Sequence, residues 1–219
     1  MRNILCQLLI VICCTSAFGQ EPDILNSKAF KEMNSDRVPS TQTVDTATFA
    51  AGCFWCTEAK FQELKGVTSV TSGFAGGHTA HPSYKEVCTG TTGHAEACNI
   101  IYNPAIISYD ELLAAFFTAH DPTQLNKQGN DVGTQYRSAI FYHNKEQKQK
   151  AEYYIGQLNA EKAYPTPIVT QVAQYTVFYK AEDYHQNYYS QNTEQHYCKY
   201  VIQPELEKFK KVFKDKLKD

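Results

Sequence analysis

The 219 residues contain one tryptophan, Trp55, against 15 tyrosines, so an indole at that place is hard to assign to routine core filling. Lysine and arginine total 21 against 23 acidic residues, a formal net charge of −2, and nothing basic points to a nucleic-acid partner. No Gly-x-Gly-x-x-Gly opens a helix, which excludes the dinucleotide-binding fingerprint, and no segment repeats. The apolar run Ile4–Ile12, interrupted by Gln7, is too short to cross a membrane with confidence. Beyond Cys53-x-x-Cys56 there is no second Cys-x-x-Cys, so a structural zinc site is left without its ligands. What remains is the composition of a globular protein, 42% hydrophobic and 20% charged.

Arg2, the short apolar run and the small residues around Ala17-Phe18-Gly19 read as a signal peptide over 1–19, which predicts an exported protein, periplasmic or secreted. An uncleaved membrane anchor is the alternative, and stable membrane insertion is not expected. Residues 20–44 are polar, with Pro22, Pro39 and a Ser/Thr/Gln cluster, and read as a linker or arm; 45–219 is one catalytic domain. Of the 8 cysteines, Cys6, Cys13 and Cys14 leave with the signal. Cys53, Cys56, Cys88, Cys98 and Cys198 stay, and an odd number in an exported chain implies a thiol outside any structural disulfide.

That thiol is expected at Cys53. A β-prone run, Thr46–Ala50, leads into Gly52-Cys53-Phe54-Trp55-Cys56, and Thr57–Leu64 reads as helix. A cysteine at a helix N-terminus meets free N–H groups and the positive end of the dipole, which predicts a depressed pKa. Strands follow at Val67–Phe74, 95–102, Tyr136–Tyr142 and Ile168–Phe178. Ser83-x-x-Glu86 and Ser108-x-x-Glu111 read as capping boxes, Asn144 caps a helix to about Ala160, and a helix follows Pro204 with Leu206, Phe209, Phe213 and Leu217 on one face. The polar stretch 120–134 outlasts ordinary connections, as functional loops do. In the third strand Glu96 shares its side with Cys98, Ile100 and Tyr102, a core-facing row in which a carboxyl would resist ionisation and serve as a general acid.

Five motifs in one order carry a family resemblance: Gly52–Trp55; Tyr84-x-Glu86-Val87-Cys88-x-Gly90; Gly93–Ala97; Gln128-Gly129-Asn130-Asp131-x-Gly133–Ser138; and Ala181–Gln186. Together they resemble the A-type peptide methionine sulfoxide reductases over roughly Thr48–Cys198. The fold expected is an α/β (α+β) two-layer sandwich, a ferredoxin-like core of mixed sheet with helices packed on it and a long irregular C-terminal segment. The resemblance implies reduction of methionine S-sulfoxide, free or in proteins, without metal or organic cofactor and with thioredoxin or another dithiol as external reductant. It implies Cys53 as nucleophile, Glu96 as proton donor, Tyr84 and Tyr136 as phenols binding the sulfoxide oxygen, Asp131 as a second carboxylate, and Phe54 and Trp55 as the pocket for the methyl group.

The sulfenic acid left on Cys53 must condense with a second thiol. Cys198, after Tyr197, stands where the family keeps its resolving cysteine. Cys56 is the rival: thiols three apart at a helix start hold their Cβ atoms about 5–6 Å apart. It also departs from the glycine common after Phe-Trp. An exported thioredoxin-like disulfide oxidoreductase using Cys53 and Cys56 is the alternative function, but there the tryptophan should precede the pair, and Glu96, Tyr84 and Asp131 would have no task.

Overall fold

The computed structural model describes residues 24–35 and 43–218, and the expected signal peptide lies outside them. In chain order the elements are α1 (Lys28–Ser35), β1 (Asp45–Ala51), α2 (Phe54–Gln62), β2 (Val67–Ala75), α3 (Tyr84–Cys88), β3 (Ala95–Tyr102) and α4 (Tyr109–Ala119). Then come β4 (Lys127–Gln128), β5 (Asp131–Val132), β6 (Ser138–Tyr142), α5 (Lys145–Ala160), β7 (Gln171–Gln174), β8 (Phe178–Lys180), α6 (Tyr188–Gln191) and α7 (Gln203–Val212).

Six strands form one mixed sheet in the order β7-β6-β1-β3-β2-β8, while β4 and β5 pair as a separate small hairpin. The segment β1–α2–β2–β3–α4–β6 supplies the central order β6-β1-β3-β2, the split βαβ arrangement expected of a ferredoxin-like core. β1 lies in the middle, antiparallel to β3 with Phe49 opposite Cys98 and to β6 with Phe49 opposite Ile140. One face of the sheet carries Phe49, Phe74, Cys98, Ile100 and Tyr102 against Phe61 of α2 and Leu112, Leu113, Phe116 and Phe117 of α4. Phe49 meets Phe116 at 5.0 Å and Phe61 at 5.8 Å between ring centroids. Period-two alternation puts these residues on one side, and removing such side chains from water stabilises each by about 1.5–3 kcal/mol.

Ile168–Phe178 is not one strand. It divides into β7, parallel to β6 at one edge, and β8, antiparallel to β2 at the other. Four residue steps from Gln174 to Phe178 span at most about 14 Å, whereas the edges of a flat six-stranded sheet lie about 24 Å apart. The sheet therefore curls until its edges approach. Its inner face has room mainly for small side chains, and the buried residues there are Ala50, Ala75, Ala95, Ala97, Ala139 and Phe141, with Tyr175 and Phe178 packed on them. Gly73 belongs to this face: a Cβ there would stand 2.4 Å from the Phe178 ring.

Residues 24–35, within the stretch read as linker or arm, are folded onto the domain. Ile24, Ala29 and Phe30 are buried, Phe30 stacks on Tyr154 at 3.9 Å, and Glu161 accepts the Lys28 and Ala29 N–H groups. The C-terminal helix runs only to Val212, with Pro204 in its first turn; Leu206, Phe209 and Phe213 are buried as their spacing predicts, and Leu217 lies beyond the helix, bridged to Leu64. Buried Lys60 of α2 binds Glu205 at 2.7 Å and the Ala119 carbonyl at 2.6 Å, tying α7 to α2 and α4. No helix among the described residues is long and apolar enough to cross a membrane.

Candidate active site

α2 begins earlier than Thr57–Leu64 suggests, because Cys53 itself is the N-cap residue, extended at φ −61°, ψ 125°. Gly52 turns the chain from β1 into the helix with φ +86°, and a Cβ on it would lie 2.6 Å from Gln128 of the β4–β5 hairpin. Only glycine lets that hairpin come so close to the thiol. The first N–H of the helix, on Phe54, donates at 3.0 Å to Oε2 of Glu96.

Glu96 is 1% exposed and lies on the core-facing side of β3, as alternation requires. Burial pushes its carboxyl up to about 8; the Phe54 N–H opposes this and the charge of Asp131 adds to it. At neutral pH most of the population is therefore the acid. Its field, in turn, reaches Tyr84 and Tyr136, whose phenols are raised above their usual range first by burial and then by Glu96. Tyr84 opens α3 under a complete Ser83–Glu86 capping box. Tyr136 does not open a strand: it ends a single helical turn, Thr134–Tyr136, closed by its N–H on the Gly133 carbonyl, and β6 starts two residues later. Asp131, in β5, accepts the Tyr197 hydroxyl at 2.6 Å.

Cys53 departs from expectation. Burial, then the Cys56 thiol, then the charge of Glu96 raise it well above its ordinary range, and only the first-turn N–H of Cys56 pulls the other way. The helix terminus does not win because Cys53 is buried, 6% exposed, and the Phe54 N–H is spent on Glu96. The resting site thus holds a thiol beside a carboxylic acid.

Phe54 is fully buried between Phe74, Tyr84 and His185, at centroid distances of 5.9, 6.1 and 5.1 Å. Trp55 is partly exposed, stacks on Tyr188 at 3.7 Å and 6°, meets the edge of Tyr197 at 6.0 Å, and donates its indole N–H to Nδ1 of His185 at 3.1 Å. Cys56 and Cys198 both pack in one buried cluster with Cys53, Ala59, Ile202 and Leu206; Cys56 also lies 3.8 Å from the Tyr197 hydroxyl. All five described cysteines are free thiols. The arrangement offers a nucleophilic sulfur, a buried acid beside it and an apolar aromatic wall, with two more thiols behind.

Sequence reasoning assigned no role to Tyr188, Tyr197, Glu182 or His185, although the aromatic crowding of Tyr175–Tyr200 and the Ala181–Gln186 motif marked the region. Their contacts span 66 residues from Tyr197 to Asp131, 98 from Glu182 to Tyr84 and 130 from His185 to Trp55, and no local spacing reveals such contacts.

Residues 45–217 match the family model described as Peptide methionine sulfoxide reductase. The chain is 51% identical over 172 residues to Peptide methionine sulfoxide reductase MsrA of Natronomonas pharaonis, covering 78% of this chain and 97% of that one. The namesake from Deinococcus radiodurans is 49% identical over 193 residues, 88% and 94% of the two chains. Among solved structures, methionine sulfoxide reductase A of Corynebacterium diphtheriae superposes with a TM-score of 0.64 at 35% identity, over 81% and 88% of the two chains. Reduced Mxr1 from Saccharomyces cerevisiae gives 0.67 at 33% identity, over 74% and 92%. With the family model matched over 45–217 and relatives of this identity over nearly their full length, the chain belongs to the peptide methionine sulfoxide reductase family, A type.

Proposed function

We propose that Cys53 attacks the sulfoxide sulfur while Glu96 gives its proton to the oxygen, in a chain whose family activity is that of a peptide-methionine (S)-S-oxide reductase. The observation that carries this is the Glu96 carboxyl, buried, held as an acid up to about pH 8 and hydrogen-bonded to the first N–H of the helix that Cys53 caps. The thiol proton lost by Cys53 replaces the one Glu96 gives up, so the pair passes through the step without building two adjacent charges. The sulfide leaves as methionine, reduced by two electrons; the oxygen moves to Cys53, oxidised to a sulfenic acid. Tyr84 and Tyr136, kept as phenols by burial and by Glu96, supply O–H donors for the oxygen. Phe54 and Trp55 form the apolar wall for the methyl group, and Asp131, held by the Tyr197 hydroxyl, is the second carboxylate of the site.

Recycling starts with Cys56, in the first turn of the helix that Cys53 caps and packed with it in one buried cluster. It attacks the sulfenic sulfur, releasing water and forming a disulfide. Cys198, packed behind it in the same cluster, then exchanges with Cys56, and an external dithiol of the thioredoxin kind reduces the bond. No resident metal or organic cofactor enters these steps. Export by the N-terminal segment completes the reading, and the role is repair of oxidised methionine.

Turnover of a peptide carrying methionine S-sulfoxide, with dithiothreitol as reductant, tests the chemistry: wild type cycles and Cys53→Ser does not. With thioredoxin, Cys56→Ser and Cys198→Ser each form one product per enzyme and then slow. Undiminished steady cycling by either variant removes that thiol from the relay.

A further inference from the structure

The motif Ala181–Gln186 touches none of the reacting atoms, yet its Glu182, His185 and Gln186 side chains all hold defined contacts. Gln186 clamps the turn Asp183–His185 to β2, accepting the Ser72 N–H at 3.1 Å and donating to the Ser72 and Ala181 carbonyls at 3.0 Å. Glu182 spends one oxygen on the Tyr84 N–H at the start of α3, at 3.0 Å. Its other oxygen faces Nε2 of His185 at 3.8 Å, and neither of these two atoms has a closer partner among the described residues. His185 is 1% exposed, packed between the rings of Phe54, Tyr84 and Tyr184 at 5.1, 4.3 and 4.1 Å.

The indole N–H of Trp55 is a donor only, so the His185 Nδ1 at 3.1 Å must be an acceptor and the ring proton must sit on Nε2, facing the carboxylate of Glu182. Burial favours the neutral ring this requires, against the opposing charge of Glu182. Tyr188 stacks on the face of the indole, a contact without a directional bond. The hydrogen bond to His185 fixes the direction of the N–H edge.

We propose that His185 is a positioning residue for the reaction: it accepts the Trp55 indole N–H and fixes the ring that walls the methyl pocket, with Glu182 holding the tautomer. This rests on Trp55 forming that pocket. The same Glu182 grips the first turn of α3, so one carboxylate sets both the indole and the backbone that carries Tyr84.

Trp55 is the only tryptophan, so its emission reports on this contact without any turnover. The experiment compares wild type, His185→Leu, His185→Asn and Glu182→Gln by fluorescence and by kcat and KM for methionine S-sulfoxide and the corresponding ethionine sulfoxide, with dithiothreitol. Asparagine carries its amide oxygen as far from the backbone as Nδ1 and can accept the indole N–H; leucine cannot. Expected for His185→Leu are a shifted emission maximum and a kcat/KM about 10- to 100-fold lower, as for a misplacement of ~1 Å. Its discrimination against the ethionine compound, roughly 10- to 200-fold for one methylene, should narrow. His185→Asn recovers the emission and most of kcat/KM, and Glu182→Gln falls between. An unshifted emission and unchanged kcat/KM in His185→Leu overturns the assignment, as does an asparagine variant as impaired as the leucine one, since ring packing rather than the acceptor would then matter. If His185→Leu does not fold, His185→Asn decides alone: wild-type emission and discrimination support the role, their loss overturns it. A wild type without turnover would instead sink the reading of Cys53 and Glu96, leaving the emission comparison to stand or fall by itself.

Discussion

The helices α2 and α4 both lie on the same face of the sheet, yet their first turns are closed in opposite ways. At α4 the Ser108 side chain accepts the Glu111 N–H at 3.2 Å, and the Glu111 carboxylate accepts the Ser108 N–H at 2.7 Å and its hydroxyl at 2.9 Å, all within four residues. At α2 the N-cap is a cysteine without a side-chain cap, and the first N–H reaches 42 residues along the chain to Glu96. A helix start built for stability satisfies itself locally. One built for chemistry leaves its cap free and takes its partner from another strand, so a buried carboxyl is brought beside a thiol. Helix position alone does not make that thiol acidic; burial outweighs it, and the Cys56 thiol and the charge of Glu96 push the same way as burial.

Removing the cap residue at each start should break this comparison most sharply. Cys53→Ser loses sulfoxide turnover altogether while its unfolding transition stays near that of wild type, because serine is a competent N-cap but its oxygen is a far weaker nucleophile than sulfur and can form neither a sulfenic acid nor a disulfide. Residual cycling in a peptide assay would show that another thiol does the work.

Glu96→Gln comes next. Loss of the proposed proton donor should slow sulfenic acid formation by roughly 10²- to 10⁴-fold in single turnover. The wild-type rate should fall as pH rises past about 8, where Glu96 ionises, and that limb should vanish in the variant. Stability follows the same group. A folded-state pKa raised to about 8 from the usual carboxylate range means that the contribution of Glu96 is fully present below the unfolded pKa and is lost as pH climbs through 8. Glutamine removes the titration, so denaturant midpoints of the variant should depend less on pH between about 4.5 and 8.

The smallest effect belongs to the other helix. Ser108→Ala removes a cap and should cost about 1 kcal/mol in chemical denaturation, with kcat and KM unchanged. A matching drop in kcat would mean that the two helix starts are not functionally separate.

What could be read beforehand follows from the range of each interaction. Ser83–Glu86 and Ser108–Glu111 are four-residue statements, and both boxes are present. Alternation along 95–102 put Glu96 in the core row before any fold was known, and the apolar face after Pro204 was equally plain. Ile168–Phe178 misled because its β-prone composition is continuous while the curl of the sheet, which splits it between opposite edges, is a property of all six strands. Residues 20–44 look polar on average, and average polarity hides Ile24 and Phe30, two apolar residues enough to dock a short helix. The thiol of Cys53 was misjudged for the same reason: its helix is local, but its burial and its neighbours Cys56 and Glu96 come from packing. The Trp55–His185 bond could be suspected from neither spacing nor composition.

The proposed chemistry requires Glu96 to be an acid when substrate arrives. Infrared difference spectroscopy of the wild type against Glu96→Gln, titrated from pH 5 to pH 10, measures this directly. A protonated carboxyl band present at pH 7, lost with a midpoint near 8 and missing from the glutamine variant is the predicted result. A carboxylate signal from Glu96 already complete at pH 6 would contradict it and leave the sulfoxide oxygen without its proton donor.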